Sequence, residues 1–163
     1  MATKNKNLSK VGDLPKVNPA WRFAIVKAEW NEEITNGLLD GAMDLLINAD
    51  VPGENIHTLQ VPGSFELPLG AQWAIESHGV DAVICLGAVI RGETSHFDYV
   101  CQAVSSGIKQ LNLDYNLPII FGVLTDDNIE QSRARSGGKH GNKGTEAAAS
   151  AIKMLALRDS LDS

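Results

Sequence analysis

The sequence predicts an α/β protein: a four-stranded parallel sheet between helical layers. Three observations carry that prediction. Four short apolar runs alternate with helical stretches along the 163 residues. The runs RFAIVKA (Arg22 to Ala28) and DAVICLGAVI (Asp81 to Ile90) are apolar nearly throughout, as in strands covered on both faces. Several of the 15 glycines stand at the ends of apolar runs, where a strand turns into a helix. Strands alternating with helices of this length imply parallel pairing, and right-handed crossovers make the sheet doubly wound.

Each element follows from its residues. Residues 1–20 are polar, carry Pro15 and Pro19, and have neither helical nor strand period. They are read as a flexible N-terminal arm, and residues 21–163 as a single domain. Order begins with the strand at Arg22. Asn31 opens a helix whose apolar face is Ile34, Leu38, Ala42, Leu45 and Leu46. Gly37 and Gly41 cost that helix stability, so a neighbouring backbone is expected close by. Val51-Pro52-Gly53 breaks the chain, and Ile56 to Val61 alternates like a strand. Pro62-Gly63 ends it, and a helix runs through Leu69, Trp73 and Ile75 to His78-Gly79. Asp81 to Ile90, the most apolar run, is the expected central strand. A third helix carries the stripe Phe97, Val100, Cys101, Val104, Ile108 and Leu111. Pro118 opens the fourth strand, IIFGVL. Two helical pieces, Asn128 to Arg135 and about 142–158, flank SGGKHGNKG, expected to be a flexible basic loop. Four strands cannot close an eight-stranded barrel, so the fold class is a flavodoxin-like, doubly wound three-layer sandwich.

Composition narrows the partners. With 14 Lys and Arg against 20 Asp and Glu the formal charge is −6, which argues against nucleic acid or an anionic membrane as partner. No apolar run reaches the roughly 18 residues of a membrane span, and no signal-peptide pattern follows the basic start. Two cysteines make no disulfide framework. A cytoplasmic protein is expected.

Ligands of such sheets bind beyond the carboxyl ends of the strands. Four segments leave those ends: 28–31, 61–66, 87–96 and 121–125. In the third, Gly92 permits close backbone approach, and Ser95 with Asp98 forms an S-x-x-D pattern. Free amides there suit a phosphate, although an ordinary capped helix explains the same spacing. His96, in the first turn, is either a proton-transfer group or a plain surface residue. Trp30, Phe65 and Phe121 come from three strand ends and offer faces for a flat heteroaromatic ring, or else pack in the core. Glu66 accepts ligand hydroxyls or complements a helix dipole. Arg133, Arg135, Lys139 and Lys143 form a local basic cluster suited to phosphate, or a solvated loop. Cys85 and Cys101 read as core residues. The histidines lack metal-ligand spacing, so no metal is expected.

VPGSFELP (Val61 to Pro68), GAVIRGETSHFDYV (Gly87 to Val100), FGVLT (Phe121 to Thr125) and EQSRARSGGKHGNKG (Glu130 to Gly144) together resemble the lumazine synthases of riboflavin biosynthesis. The resemblance covers about residues 21–158. It implies condensation of 5-amino-6-(D-ribitylamino)uracil with 3,4-dihydroxy-2-butanone 4-phosphate, releasing phosphate and water, without a cofactor. It assigns Trp30 to stacking on the pyrimidine, and Ser64, Phe65 and Glu66 to the ribityl chain and ring. Ala88, Val89 and Ile90 are assigned to the pyrimidine through backbone groups, Glu93 and Thr94 to the phosphate turn, and His96 to general acid and base. Phe121 and Arg135 are implied to come from the adjacent subunit, Arg135 to the phosphate, and Lys143 to reach the ribityl end. An acidic Glu93 side chain is expected to point away from phosphate. The resemblance further implies a homo-oligomer, a pentamer or an icosahedral cage of pentamers, and admits riboflavin synthase as a partner. The compact connection Gly137 to Asn142 resembles that of cage-forming members.

Three competing readings remain at this point. A flavin- or pterin-binding module needs the aromatic edge but not a phosphate turn followed by His96. A container with a decayed site would not need Thr94, His96 and Arg135. An unrelated phospho-sugar enzyme leaves the aromatic edge unexplained.

Overall fold

A computed structural model describes residue 7 and residues 9–161. The elements are β1 (Phe23–Ala28), α1 (Glu32–Asn48), β2 (Ile56–Val61), α2 (Leu67–His78), β3 (Ala82–Ile90), α3 (His96–Tyr115), β4 (Ile119–Asp126) and α4 (Ile129–Arg135), followed by β5 (Ser136–Gly138), β6 (Gly141–Asn142) and α5 (Lys143–Leu161). The main sheet is wholly parallel, in the order β2-β1-β3-β4. The expected doubly wound α/β sheet is therefore present, with β1 and β3 inside and β2 and β4 at the edges.

The lack of alternation in β1 now has its cause. All six of its residues are buried, because helices cover both faces. Phe23 and Ile25 point to one side with Ile34, Leu38, Ile84, Ile152 and Leu155, against α1 and α5. Ala24 and Val26 point to the other with Ala71, Ala74, Cys85, Val104 and Ile108, against α2 and α3. Each fully buried Phe, Ile or Leu contributes about 1.5–3 kcal/mol of apolar transfer.

The close approach expected at Gly37 and Gly41 is real. A methyl group at Gly37 would sit 2.5 Å from the Ser136 carbonyl oxygen, and one at Gly41 would overlap the Asn142 amide. These contacts bring α1 against the segment expected to be a flexible loop. That expectation needs correction: residues 136–142 form the antiparallel hairpin β5–β6. Asn142 pins it, donating from Nδ2 to the Gly37 carbonyl at 2.7 Å and accepting at Oδ1 from the Gly144 amide at 2.8 Å.

On α2 the buried face is Leu67, Gly70, Ala71 and Ala74, while Leu69 and Trp73 are exposed. The described part of the arm runs beside α1 and α5. Leu14 and Val17 pack on the core, and Lys153 Nζ donates to the Val11 carbonyl at 2.8 Å. A cavity of about 1070 Å³ lies between residues 12–19 and α1, and none of the predicted site residues lines it. Among the described residues no helix is long and apolar enough to cross a membrane.

Candidate functional site

The carboxyl ends of β1, β2 and β3 converge. Beyond Ala28 the chain keeps pairing with the exit of β2: the Glu29 amide donates to the Val61 carbonyl at 2.8 Å and the Trp30 amide to the Pro62 carbonyl at 3.0 Å. This pairing sets the Trp30 indole over Gly63, where a methyl group would stand 2.6 Å from indole Cε3. Trp30 is nevertheless 66% exposed, so its other face is open to a flat ligand. Phe65, 60% exposed, lies on the adjoining 3₁₀ turn, Ser64–Glu66.

Glu66 curls back, and its Oε2 accepts from the Gly63 amide at 3.0 Å. The carboxylate thus steadies the turn beneath Trp30 while its other oxygen is available. Ser64 is buried, and its hydroxyl lies where a side chain at Gly87 would be. Among the described residues, Ser64 Oγ is a buried polar atom without a hydrogen-bond partner, and a ligand hydroxyl is one way to satisfy it.

β3 brings Ala88, Val89 and Ile90 to the same edge, paired with Leu124, Thr125 and Asp126 of β4. Asn31 reaches across from the end of β1 and donates from Nδ2 to the Ala88 carbonyl at 2.9 Å. Beyond Ile90, Arg91 braces the turn into α3. It donates from Nε to Asp127 at 3.0 Å and from Nη1 to Asp98 at 3.3 Å, with its guanidinium 4.2 Å from the centre of the Phe97 ring. The hydrogen bond that Arg91 donates to the Asp127 carboxylate raises the Arg91 pKa further above its already high ordinary value.

The S-x-x-D capping pattern is not realised. Ser95 occupies the cap position of α3 but makes no side-chain cap, and Asp98 is drawn to Arg91 instead. The His96 amide donates to Thr94 Oγ1 over a long 3.4 Å. Glu93, Thr94 and His96 are all exposed. A helix start left open in this way, with Thr94 beside it, suits an anion.

Two predicted residues stand apart from this edge. Phe121 is expected among the strand-end aromatics, yet it pairs with Cys85 in mid-strand, whereas Asp126 pairs with Ile90 at the edge. Five residues of strand put it on the order of 16 Å from the edge. Arg135 closes α4, where Glu146 grips it from both oxygens, at 2.8 and 3.1 Å, and the His140 carbonyl accepts at 2.9 Å. Lys143 lies 3.6 Å from the same Glu146 carboxylate. Arg133 is bidentate on Glu33, at 2.7 and 3.0 Å. Two arginines of the basic cluster are therefore paired with acids from other elements. Asn31, Arg91 and Glu146 were not singled out from the sequence. A carboxylate three positions after Lys143 is the only local sign of any of these contacts.

At the other end of the sheet, His57 and His78 stack with centroids 4.6 Å apart, and Arg22 Nη2 lies 3.4 Å from His57 Nε2. Among the described residues no group of three or more His, Cys, Asp or Glu side chains is placed to hold a metal.

A doubly wound sheet with an exposed aromatic edge beside an open helix start defines a small-molecule binding class, and sequence comparison gives it a family. The 6,7-dimethyl-8-ribityllumazine synthase family model matches residues 20–159, and the chain belongs to that family. It is 57% identical to the 6,7-dimethyl-8-ribityllumazine synthase of Cytophaga hutchinsonii over 157 residues, 96% of this chain and 98% of the relative. It is 56% identical to that of Christiangramia forsetii over 161 residues, covering 97% and 95% of the two chains. With that of Flavobacterium johnsoniae it shares 54% identity over 160 residues, 97% of this chain and 84% of the relative.

Proposed function

We propose that this protein is a 6,7-dimethyl-8-ribityllumazine synthase, a transferase of riboflavin biosynthesis. It condenses 5-amino-6-(D-ribitylamino)uracil with 3,4-dihydroxy-2-butanone 4-phosphate, releasing phosphate and water. The observation that carries this reading is the meeting at one sheet edge of an exposed indole, a strand-end backbone and an open helix start bearing His96.

The pyrimidine stacks on Trp30, and backbone groups of Ala88, Val89 and Ile90 hydrogen-bond its edge. Ser64, Phe65 and Glu66 hold the ribityl chain and ring. The phosphate of the ketone sits at Thr94 and the opening amides of α3, with the Glu93 carboxylate directed outward. The substrate's own amine attacks the ketone carbon, and the ketone oxygen leaves as water, so no enzyme lysine is required. Elimination of phosphate leaves an enol that tautomerises to a new carbonyl, and attack on it by the ribitylamino nitrogen, with loss of a second water, closes the ring. His96 moves the protons these steps release and consume, and the site holds the two substrates in reacting geometry.

Phe121 and Arg135 serve the site of a neighbouring subunit, which makes a homo-oligomer part of the function. The neighbour's Arg135 adds charge to the phosphate, and Lys143 reaches the ribityl end. The assembly is a pentamer or a cage of pentamers, and the compact β5–β6 hairpin favours the cage. The described residues 9–20 act as an arm on the domain that begins at residue 21, and the rest of the expected arm lies outside the described residues. The enzyme works in the cytoplasm, where riboflavin synthase is a further partner.

The test is to mix the purified protein with both substrates and follow lumazine absorbance against an enzyme-free control, since the substrates also condense unaided. A rate above control that His96→Ala lowers by about 10²-fold supports the reading. A folded, assembled protein with no such rate overturns it.

A further inference from the structure

The geometry points to Asn31 as a positioning residue that sets the width of the slot between the Trp30 indole and the end of β3. This inference rests on the synthase reading and adds a residue to it. Asn31 has φ 59° and ψ 49°, a left-handed conformation that a residue with a side chain rarely adopts. It stands at the cap position of α1, and its carbonyl accepts the first helix amides, from Ile34 at 2.9 Å and Thr35 at 3.0 Å.

An asparagine at that position ordinarily turns its side chain inward to cap the helix. Here it makes no side-chain cap, and Nδ2 is spent on the Ala88 carbonyl, 57 positions away. The forgone cap is the informative feature. The amide ties the chain directly after Trp30 to the β3 segment that reads the pyrimidine. On the other side, the Trp30 amide is fixed to Pro62 and its ring rests on Gly63. Three strand ends are thereby held at one separation, and Asn31 supplies the link to β3. A flat ring enters only if that separation suits it, so Asn31 acts on the uracil substrate through Trp30 and Ala88 and leaves the phosphate turn untouched.

Two variants separate its backbone from its amide. Asn31→Gly accepts the left-handed conformation without the amide, and Asn31→Asp keeps the shape but turns an acceptor toward the Ala88 carbonyl. Loss of one hydrogen bond of this kind corresponds to about a five- to tenfold change in binding. In both variants the KM for the ribitylaminouracil should rise by about that factor or more, while the KM for the butanone phosphate stays within about twofold. Quenching of tryptophan fluorescence by the ribitylaminouracil alone should weaken in parallel, with melting temperature and assembly size largely kept. An active wild type whose Asn31 variants keep the uracil KM and quenching, or lose affinity for both substrates equally, overturns this inference alone. A wild type without synthase activity overturns both readings.

Discussion

Glu146 holds the guanidinium of Arg135 through both carboxylate oxygens, accepting from Nη1 at 2.8 Å and from Nη2 at 3.1 Å. The side chains are only 16% and 18% exposed, so the pair is shielded from solvent and its geometry is firm. Bidentate Arg–carboxylate pairs fix the plane of the guanidinium as well as its position. If Arg135 serves a neighbour's phosphate as proposed, it gains from being held in this way, because it does not have to be ordered when the ligand arrives.

Replacing Arg135 by Ala should therefore act twice. The KM for the butanone phosphate should rise about tenfold or more, with much less change for the uracil substrate. Stability should fall by about 1–3 kcal/mol, because Glu146 and the His140 carbonyl lose the Arg135 donors and only Lys143, at 3.6 Å, stays beside the carboxylate. Steady-state kinetics with each substrate varied, together with a melting curve, check both parts. Equal weakening of the two substrates would remove Arg135 from phosphate binding.

His96→Ala should lower kcat by about 10²-fold, the usual size of a general acid–base contribution. His96 is exposed at the start of α3, so the melting temperature and the assembly should be nearly unchanged. A variant with wild-type turnover would end its catalytic assignment.

Gly63→Ala tests the seat of Trp30 and the stacking role proposed for it. The added methyl group would meet indole Cε3 at 2.6 Å and Glu66 Oε2 at 3.2 Å, so the indole has to leave its place. The expected result is a raised KM for the ribitylaminouracil and altered tryptophan emission, with the phospho-ketone little affected. Unchanged uracil binding would mean that the observed placement of Trp30 does not matter to the ligand.

The stacked pair at the far end of the sheet predicts a pH effect on stability. Desolvation, followed by the charges of His78 and Arg22, lowers the pKa of His57 below its ordinary value. The unfolded chain then binds the proton more readily than the native one. The contribution to stability is complete above the ordinary histidine pKa of about 6.5 and is lost as pH falls from there through the lower native value. Melting temperature should fall on acidification through that window, and His57→Gln should flatten the dependence. An identical slope in the variant would show that other groups carry the acid sensitivity.

Burial pushes the Cys85 thiol up to about 12, leaving almost no thiolate at neutral pH. A thiol reagent should modify Cys85 only after unfolding, whereas Cys101 on α3 is partly exposed and reacts in the native protein. Mapping the modified cysteine by mass spectrometry decides between them, and rapid native labelling of Cys85 would contradict its place in the core.

The periods of the chain were enough for the helices and the four strands of the main sheet, and they put segments 28–31, 61–66 and 87–96 at one edge of that sheet. A covered strand is apolar on both faces, and a packed helix shows its stripe locally, so these features need no knowledge of the partner element. Leu69 and Trp73 show the limit of that reasoning. They belong to the expected helix, but an apolar residue does not announce whether it faces its own core or outward. The hairpin at residues 136–142 looked like a loop because its order comes from Asn142 and the surface of α1, both distant in sequence.

Local pattern along the chain was enough for the order of the main elements, the parallel class of the main sheet and the strand ends near which Trp30, Ser64 to Glu66 and Ala88 to His96 stand. Periodicity and chain reversal are properties of neighbouring residues. Long-range contacts settle the rest: Phe121 lies in mid-strand, Glu146 occupies Arg135, and Asn31 spends its amide on Ala88 instead of capping its own helix. Each of these depends on the register of one strand against another, or on two groups meeting in space, and distance along the chain carries no record of either.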